Sequence, residues 1–141
     1  MEQKLTVNIY SFSFKKGIPE DHSGNGGGHV FDCRGILNPG RIEEYKTQTG
    51  RDLPVKNYLE SQTQMPAFID LAKKLCHITV SDYVQRNFTH LQISFGCTGG
   101  QHRSVYAADA MAEFLKNEFP EITVEVLHRE QEEKNWINQA Y

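Results

Sequence analysis

The segment Leu91–Ser104, LQISFGCTGGQHRS, constrains this chain more than any other. Leu91, Ile93 and Phe95 alternate with Gln92 and Ser94, the pattern of a buried strand. Gly96-Cys97-Thr98-Gly99-Gly100 carries little side-chain bulk and reads as a turn. From Gln101 onward, Val105, Ala108, Met111, Ala112 and Leu115 recur at helical spacing. Strand, glycine turn and helix start, in that order, make an anion site. The first amides of the helix have no partner within it, its dipole end is partly positive, and glycine lets a ligand approach the backbone. Arg103 and Ser104 add a fixed positive charge and a hydroxyl in the first turn. Cations at His102 and Arg103 stand where the dipole disfavours them, a placement that an anion among them would explain. The expectation is a phosphate bound at Gly96–Ser104.

The 141 residues suit one domain, 1–141, with one core. With 38% hydrophobic and 23% charged residues the composition is that of a globular protein, and a net charge of −3 disfavours nucleic-acid binding over the whole surface. No run approaches the roughly 20 apolar residues of a membrane span. Met1-Glu2-Gln3-Lys4 lacks the apolar core of a signal peptide, so a cytoplasmic location is expected. Cys33, Cys76 and Cys97 form no CxxC pair and fit a reducing compartment. His22, His29, His77 and His90 lack ligand-like spacing, and neither a metal nor a cofactor is expected.

Along the chain, Leu5–Phe14 alternates as a first strand. Gly24-Asn25-Gly26-Gly27-Gly28 cannot hold regular structure cheaply, and residues 23–28 are expected to form a flexible loop. His29–Cys33 reads as a second short strand. Asp32, Arg34 and Asn38 follow its end, where open α/β sheets place ligands. Pro54 starts a helix with Val55, Tyr58 and Leu59 on its buried face. From Pro66, the positions Phe68, Ile69, Leu71, Ala72, Leu75, Ile78 and Val84 fit a long amphipathic helix ending near Asn87. The focal strand and helix follow, closed by Pro120. Ile122–Leu127 is a last strand, met at once by His128 and Arg129, and Glu130–Ile137 a short helix. The order ββααβαβα predicts an α/β fold with a small mixed or mostly parallel sheet flanked by helices. Strand order stays open.

The focal turn also spells Cys97, five residues, Arg103, Ser104, the spacing of cysteine-dependent phosphatases. A thiolate at a helix start beside an arginine has a lowered pKa and could attack a bound phosphate. Gly96 precedes the cysteine where many such enzymes carry histidine, and Asp32 is the one candidate acid. Asp32 and Arg34 also read as a surface ion pair, Asn38 as a turn residue before Pro39, and His128 equally as a structural or a site residue.

Taken together, several blocks resemble one family: Ser11–Pro19, Val30-Phe31-Asp32-Cys33-Arg34, Asn38-Pro39, Thr49-Gly50, Gly96–Val105 and His128-Arg129. In this order they are similar to the C-terminal domain of RapZ, the RNase adaptor family also called YvcJ-like, over nearly the whole chain. The resemblance implies an α/β domain like a phosphofructokinase subdomain that senses glucosamine-6-phosphate. It implies that Thr98, Gly99, Gly100, His102 and Arg103 hold the phosphate; Cys97 and Ser104 of the same loop are candidate ligand residues from their place in the turn. Asp32, Arg34 and Asn38 would line the sugar end, with His128 and Arg129 near the same edge. It also implies self-association. Family members carry an N-terminal P-loop domain; this sequence has no GxxxxGK[ST], so nucleotide hydrolysis is not implied. Gly40 stands where the family can carry histidine. The segment Glu130-Gln131-Glu132-Glu133-Lys134 is net acidic where a basic tail contributes to RNA binding, which disfavours RNA contacts.

The leading expectation is a stand-alone, non-catalytic phosphosugar sensor or adaptor that acts on a protein partner still to be named. A Cys97/Arg103 phosphatase and an RNA-binding adaptor module are the alternatives. A further one is a sugar-phosphate enzyme that borrows its nucleotide site from a partner.

Overall fold

A computed structural model describes residues 4–141. Met1, Glu2 and Gln3, at the head of the stretch read as free of a leader, lie outside the described residues. Four strands form one sheet: β1 (Thr6–Ser13), β2 (Gly28–Asp32), β3 (His90–Cys97) and β4 (Thr123–His128), in the order β2-β3-β1-β4. Every pairing is parallel. The helices are α1 (Leu53–Gln62), α2 (Met65–Gln85), α3 (Arg103–Glu118) and the short α4 (Arg129–Glu133). Two single turns of 3-10 helix, Pro39–Arg41 and Glu43–Tyr45, lie between β2 and α1.

The connections β2→β3 and β3→β4 step across the sheet in the same direction. Parallel crossovers are right-handed, so both put their helices on one face. α3 lies against β1, β3 and β4, α2 against α3, and α1 against α2. Under them sit Val7, Ile9, Leu91, Ile93 and Phe95, in one core with Ala107, Ala108, Met111 and Leu115. Phe95 is fully buried and stacks on Phe31 at 5.1 Å.

The opposite face of the sheet is crossed by the irregular segment after β1. Pro19 O accepts from the buried Gln92 amide at 2.9 Å, and Phe14 meets Phe12 edge-on at 4.8 Å. The glycine-rich stretch is gathered on Asp21, whose carboxylate accepts from Ser23 N at 2.9 Å and Gly27 N at 2.7 Å.

Two details of the helices differ from expectation. Leu71, Leu75 and Ile78 are exposed at 62%, 50% and 68%. The inward stripe of α2 is Met65, Ile69, Ala72, Cys76 and Val80. Its apolar arc is wider than the surface it packs on, so one of two neighbouring stripes stays outside. The last helix ends at Glu133 rather than Ile137, because Asn135 and Trp136 turn into the left-handed region.

One polar network ties the helical layer to the sheet. His128 at the end of β4 is 1% exposed. Its Nε2 donates to Asp109 Oδ1 at 2.7 Å, so its Nδ1 accepts from Ser11 Oγ at 2.6 Å when the ring is neutral. Asp109 on α3 also accepts from Arg51 Nε at 2.9 Å, and Arg51 lies 4.6 Å over the ring of Trp136. Burial pushes the Asp109 carboxyl up, but the hydrogen bonds and charges of His128 and Arg51 outweigh it and bring it down to about 2.

Two outcomes follow. Phe95→Ala should lower unfolding stability by about 3–5 kcal/mol in urea melts, the cost of a cavity at an aromatic core site. Asp109 ionises about two units lower in the folded chain than the ~3.9 of an unfolded aspartate. Its contribution is therefore fully present above about pH 4 and lost as pH falls towards 2. Thermal melts from pH 5 to pH 2 should show a shallower decline for Asp109→Asn than for the parent, and parallel curves would show that Asp109 is not part of the acid sensitivity.

Candidate functional site

A parallel sheet puts all its carboxyl ends on one edge. Here that edge carries Ser13, Asp32, Cys97 and His128, the last residues of their strands. The focal turn leaves from the middle of it. Gly96 O accepts from Cys33 N at 2.7 Å on the β2 side, and Cys97 O accepts from Phe14 N at 3.0 Å on the β1 side. Thr98 O accepts from Ser13 Oγ at 2.5 Å.

These acceptors fix the direction of the amides. In a trans peptide the carbonyl and the following N–H point opposite ways, and the described residues hold no cis peptide. The Thr98 and Gly99 amides therefore point away from β1, towards the flank where β2 ends in Asp32-Cys33-Arg34. Neither has an acceptor among the described residues. Thr98 and Gly99 are exposed. Gly100 is buried with φ +67°, a conformation that strains any residue with a Cβ, and the Ser13 amide stands 3.1 Å from where that Cβ would be.

α3 starts without a side-chain cap. His102 occupies the cap position, but its Nε2 donates to Tyr45 O at 2.7 Å. Burial holds this imidazole below the ordinary histidine range, so at neutral pH it is uncharged. Its Nδ1 then offers a lone pair, which suits a hydroxyl or ammonium donor. The amides of the first turn of α3 keep the orphan character of an open helix end.

Arg103 is 5% exposed. One terminal nitrogen donates to Arg34 O at 3.2 Å and Ile36 O at 2.7 Å, so the guanidinium ties the loop after β2 to the start of α3. Its Nε is buried and has no partner. Most buried polar atoms are paired, so an orphaned N–H on a charged group marks a place for an acceptor.

The other predicted residues gather around this centre in part. Cys97, 2% exposed, donates from Sγ to Ser104 Oγ at 3.1 Å. It is flanked by Cys33, whose thiol burial pushes well above its ordinary range. Asp32 and Arg34 form a bidentate pair at 2.7–3.1 Å at the open edge, and Arg34 lies 4.0 Å over Phe14. Asn38 Oδ1 accepts from Gly40 N at 2.9 Å and caps the first 3-10 turn. A Cβ on Gly40 would stand 3.3 Å from the His102 ring and 2.4 Å from the Tyr141 hydroxyl, so Asn38 and His102 meet across a glycine. His128 is engaged on both ring nitrogens within the Ser11–Asp109 network. Arg129 lies on the β1 flank, donating to Glu130 at 2.9 Å and to Gly17 O at 2.7 Å.

Sequence reasoning missed Ser13, Glu130 and Tyr45. Each takes part in a bond between a side chain and the backbone of a distant segment, and nothing in the linear pattern marks such a pairing. It also missed an open cleft of about 450 Å³ on the β1 flank of the turn, lined by Lys15, Lys16, Glu130, Glu133 and Lys134. Among the described residues no three His, Cys, Asp or Glu side chains converge on a metal position. No helix there is long and apolar enough to cross a membrane.

The profile described as the RapZ C-terminal domain matches residues 5–132. The chain is similar to a "Nucleotide-binding protein" of Endomicrobium trichonymphae, 39% identical over 129 residues, which covers 92% of this chain and 42% of that protein. It is also similar to proteins of the same description from Clostridium acetobutylicum, 40% identical over 94% of this chain and 43% of that protein, and from Fusobacterium nucleatum, 40% identical over 94% and 44%. The chain thus spans less than half the length of the curated relatives it matches. Matched from β1 to α4, the chain belongs to the RapZ C-terminal domain family.

Proposed function

We propose that the domain binds a phosphorylated sugar, with glucosamine-6-phosphate the leading candidate, and works as a sensor or adaptor rather than as a catalyst. The observation that carries this is the unpartnered, buried Arg103 Nε beside an uncapped helix start and outward amides at Thr98 and Gly99. Those donors suit a phosphate: several N–H groups and one fixed positive charge. The sugar end would lie towards His102, Asn38 and the Asp32–Arg34 pair. Neutral His102 Nδ1 and the Asp32 carboxylate are acceptors, which suits hydroxyls and an ammonium.

The relatives' description as nucleotide-binding proteins fits a phosphate-seeking site equally. This chain matches only part of their length and contains no GxxxxGK[ST], so the proposal stays with the sugar phosphate. The Cys97–Ser104 contact, with the Cys97–Arg103 spacing, favours phosphatase chemistry. The thiol is nearly fully buried on the core side of β3, which favours binding over attack.

Calorimetric titration of the purified chain tests the reading. Glucosamine-6-phosphate should bind saturably, tighter than glucose-6-phosphate or inorganic phosphate, with no phosphate released in the same samples. Arg103→Lys keeps the charge and loses the planar fork. It should weaken binding by about tenfold or more, in line with loss of a charge-assisted bond worth roughly 1.5–3 kcal/mol. Equal affinity in Arg103→Lys would remove Arg103 from the site, and phosphate release that vanishes in Cys97→Ser would transfer the assignment to the phosphatase.

A further inference from the structure

We propose that Ser13 is a positioning residue for the anion site: its hydroxyl holds the Thr98–Gly99 peptide in the one orientation that aims an amide at the ligand. This rests on the phosphate-binding reading above and adds a residue that touches no ligand.

Ser13 ends β1 and is 4% exposed. Its own amide donates to Glu130 Oε2 at 2.5 Å. The other Glu130 oxygen accepts from Arg129 Nε at 2.9 Å, and Arg129 reaches on to Gly17 O at 2.7 Å. Ser13 is therefore anchored from α4 before it meets the turn. Its hydroxyl has a single proton, and that proton goes to Thr98 O at 2.5 Å; the lone pairs take Lys15 N at 3.2 Å.

Among the described residues no other hydrogen bond reaches the Thr98 carbonyl or the Gly99 amide. Thr98 and Gly99 are exposed, no atom lies within 4 Å of a Cβ built on Gly99, and the open cleft borders both residues. Glycine on the C-terminal side makes rotation of the peptide plane inexpensive. Rotation would reverse the site: the Thr98 carbonyl would face the anion and the Gly99 amide would face β1. A donor would become an acceptor at the same point, so binding depends on the orientation and not merely on the presence of the loop. Gly100 leaves room for this approach: a Cβ there would stand 3.1 Å from the Ser13 amide nitrogen.

The test uses the full chain labelled with ¹³C and ¹⁵N, as the parent, Ser13→Ala and Ser13→Thr. Thermal melts and backbone resonances are recorded without ligand, and binding is then measured with glucosamine-6-phosphate and, separately, inorganic phosphate. Ser13→Ala should melt close to the parent, shift the Thr98 carbonyl resonance in the ligand-free protein and bind about tenfold or more weakly, the scale of one net hydrogen bond. Ser13→Thr should restore both the resonance and the affinity. Parent-like binding by Ser13→Ala would overturn the role of Ser13 and leave the anion site standing. Weak binding by Ser13→Ala with an unmoved Thr98 resonance would also overturn it, since the hydroxyl would then act by another route. A parent protein that binds neither compound would instead bring down the anion-site reading itself, and this proposal with it.

Discussion

The end of β3 is hydrogen-bonded from both sides at successive residues, and the rest of the site depends on that. Gly96 O is taken by the chain leaving β2, and Cys97 O by the chain leaving β1. A strand that ended free would let the following glycines take any course. Held this way, the turn leaves the sheet with its carbonyls already committed, and its amides are left facing outward. The proposed anion site is in that sense a product of the parallel ladder: the free donors are what remains after neighbouring strands have used the acceptors.

The topology brings the other parts to the same place. Two right-handed crossovers in one direction put α2 and α3 on a single face, and α3 begins where β3 ends. The long connection from β2 to α1 then has to pass the open start of α3. It does so through backbone carbonyls, Arg34 O and Ile36 O on Arg103 and Tyr45 O on His102. Arg103 thus has a structural duty on one nitrogen and an unmet one on another. On the far flank, His128 joins β1, β4 and α3 through Ser11 and Asp109, and α4 starts directly after it, carrying Glu130 to Ser13.

Much of this could be read from the residues. Alternation located β1, β2, β3 and β4, and helical spacing located α1, α2 and α3, because each of these buries a face and the burial dictates the period. The strand–turn–helix at Leu91–Ser104 was legible because glycines, a cation and a hydroxyl cluster there between an alternating and a helical pattern. Strand order was not legible, since Val7, Ile9, Leu91 and Ile93 would look the same in any order. The exposed Leu71–Leu75–Ile78 stripe was misplaced because apolarity alone does not say which of two adjacent stripes finds a partner. The Ser13–Thr98 and His102–Tyr45 contacts join side chains to backbone across long separations, and main-chain acceptors leave no mark in a sequence. Family membership came from the blocks together, each of which is short.

The most direct measurement is a crystal structure of the chain with glucosamine-6-phosphate. The account predicts the phosphate at the start of α3, within hydrogen-bonding distance of the Gly99 amide and of Arg103 Nε, with the sugar directed towards His102 and Asn38. A phosphate lodged elsewhere, with Arg103 Nε still unpartnered and the Thr98–Gly99 amides in solvent, would contradict it.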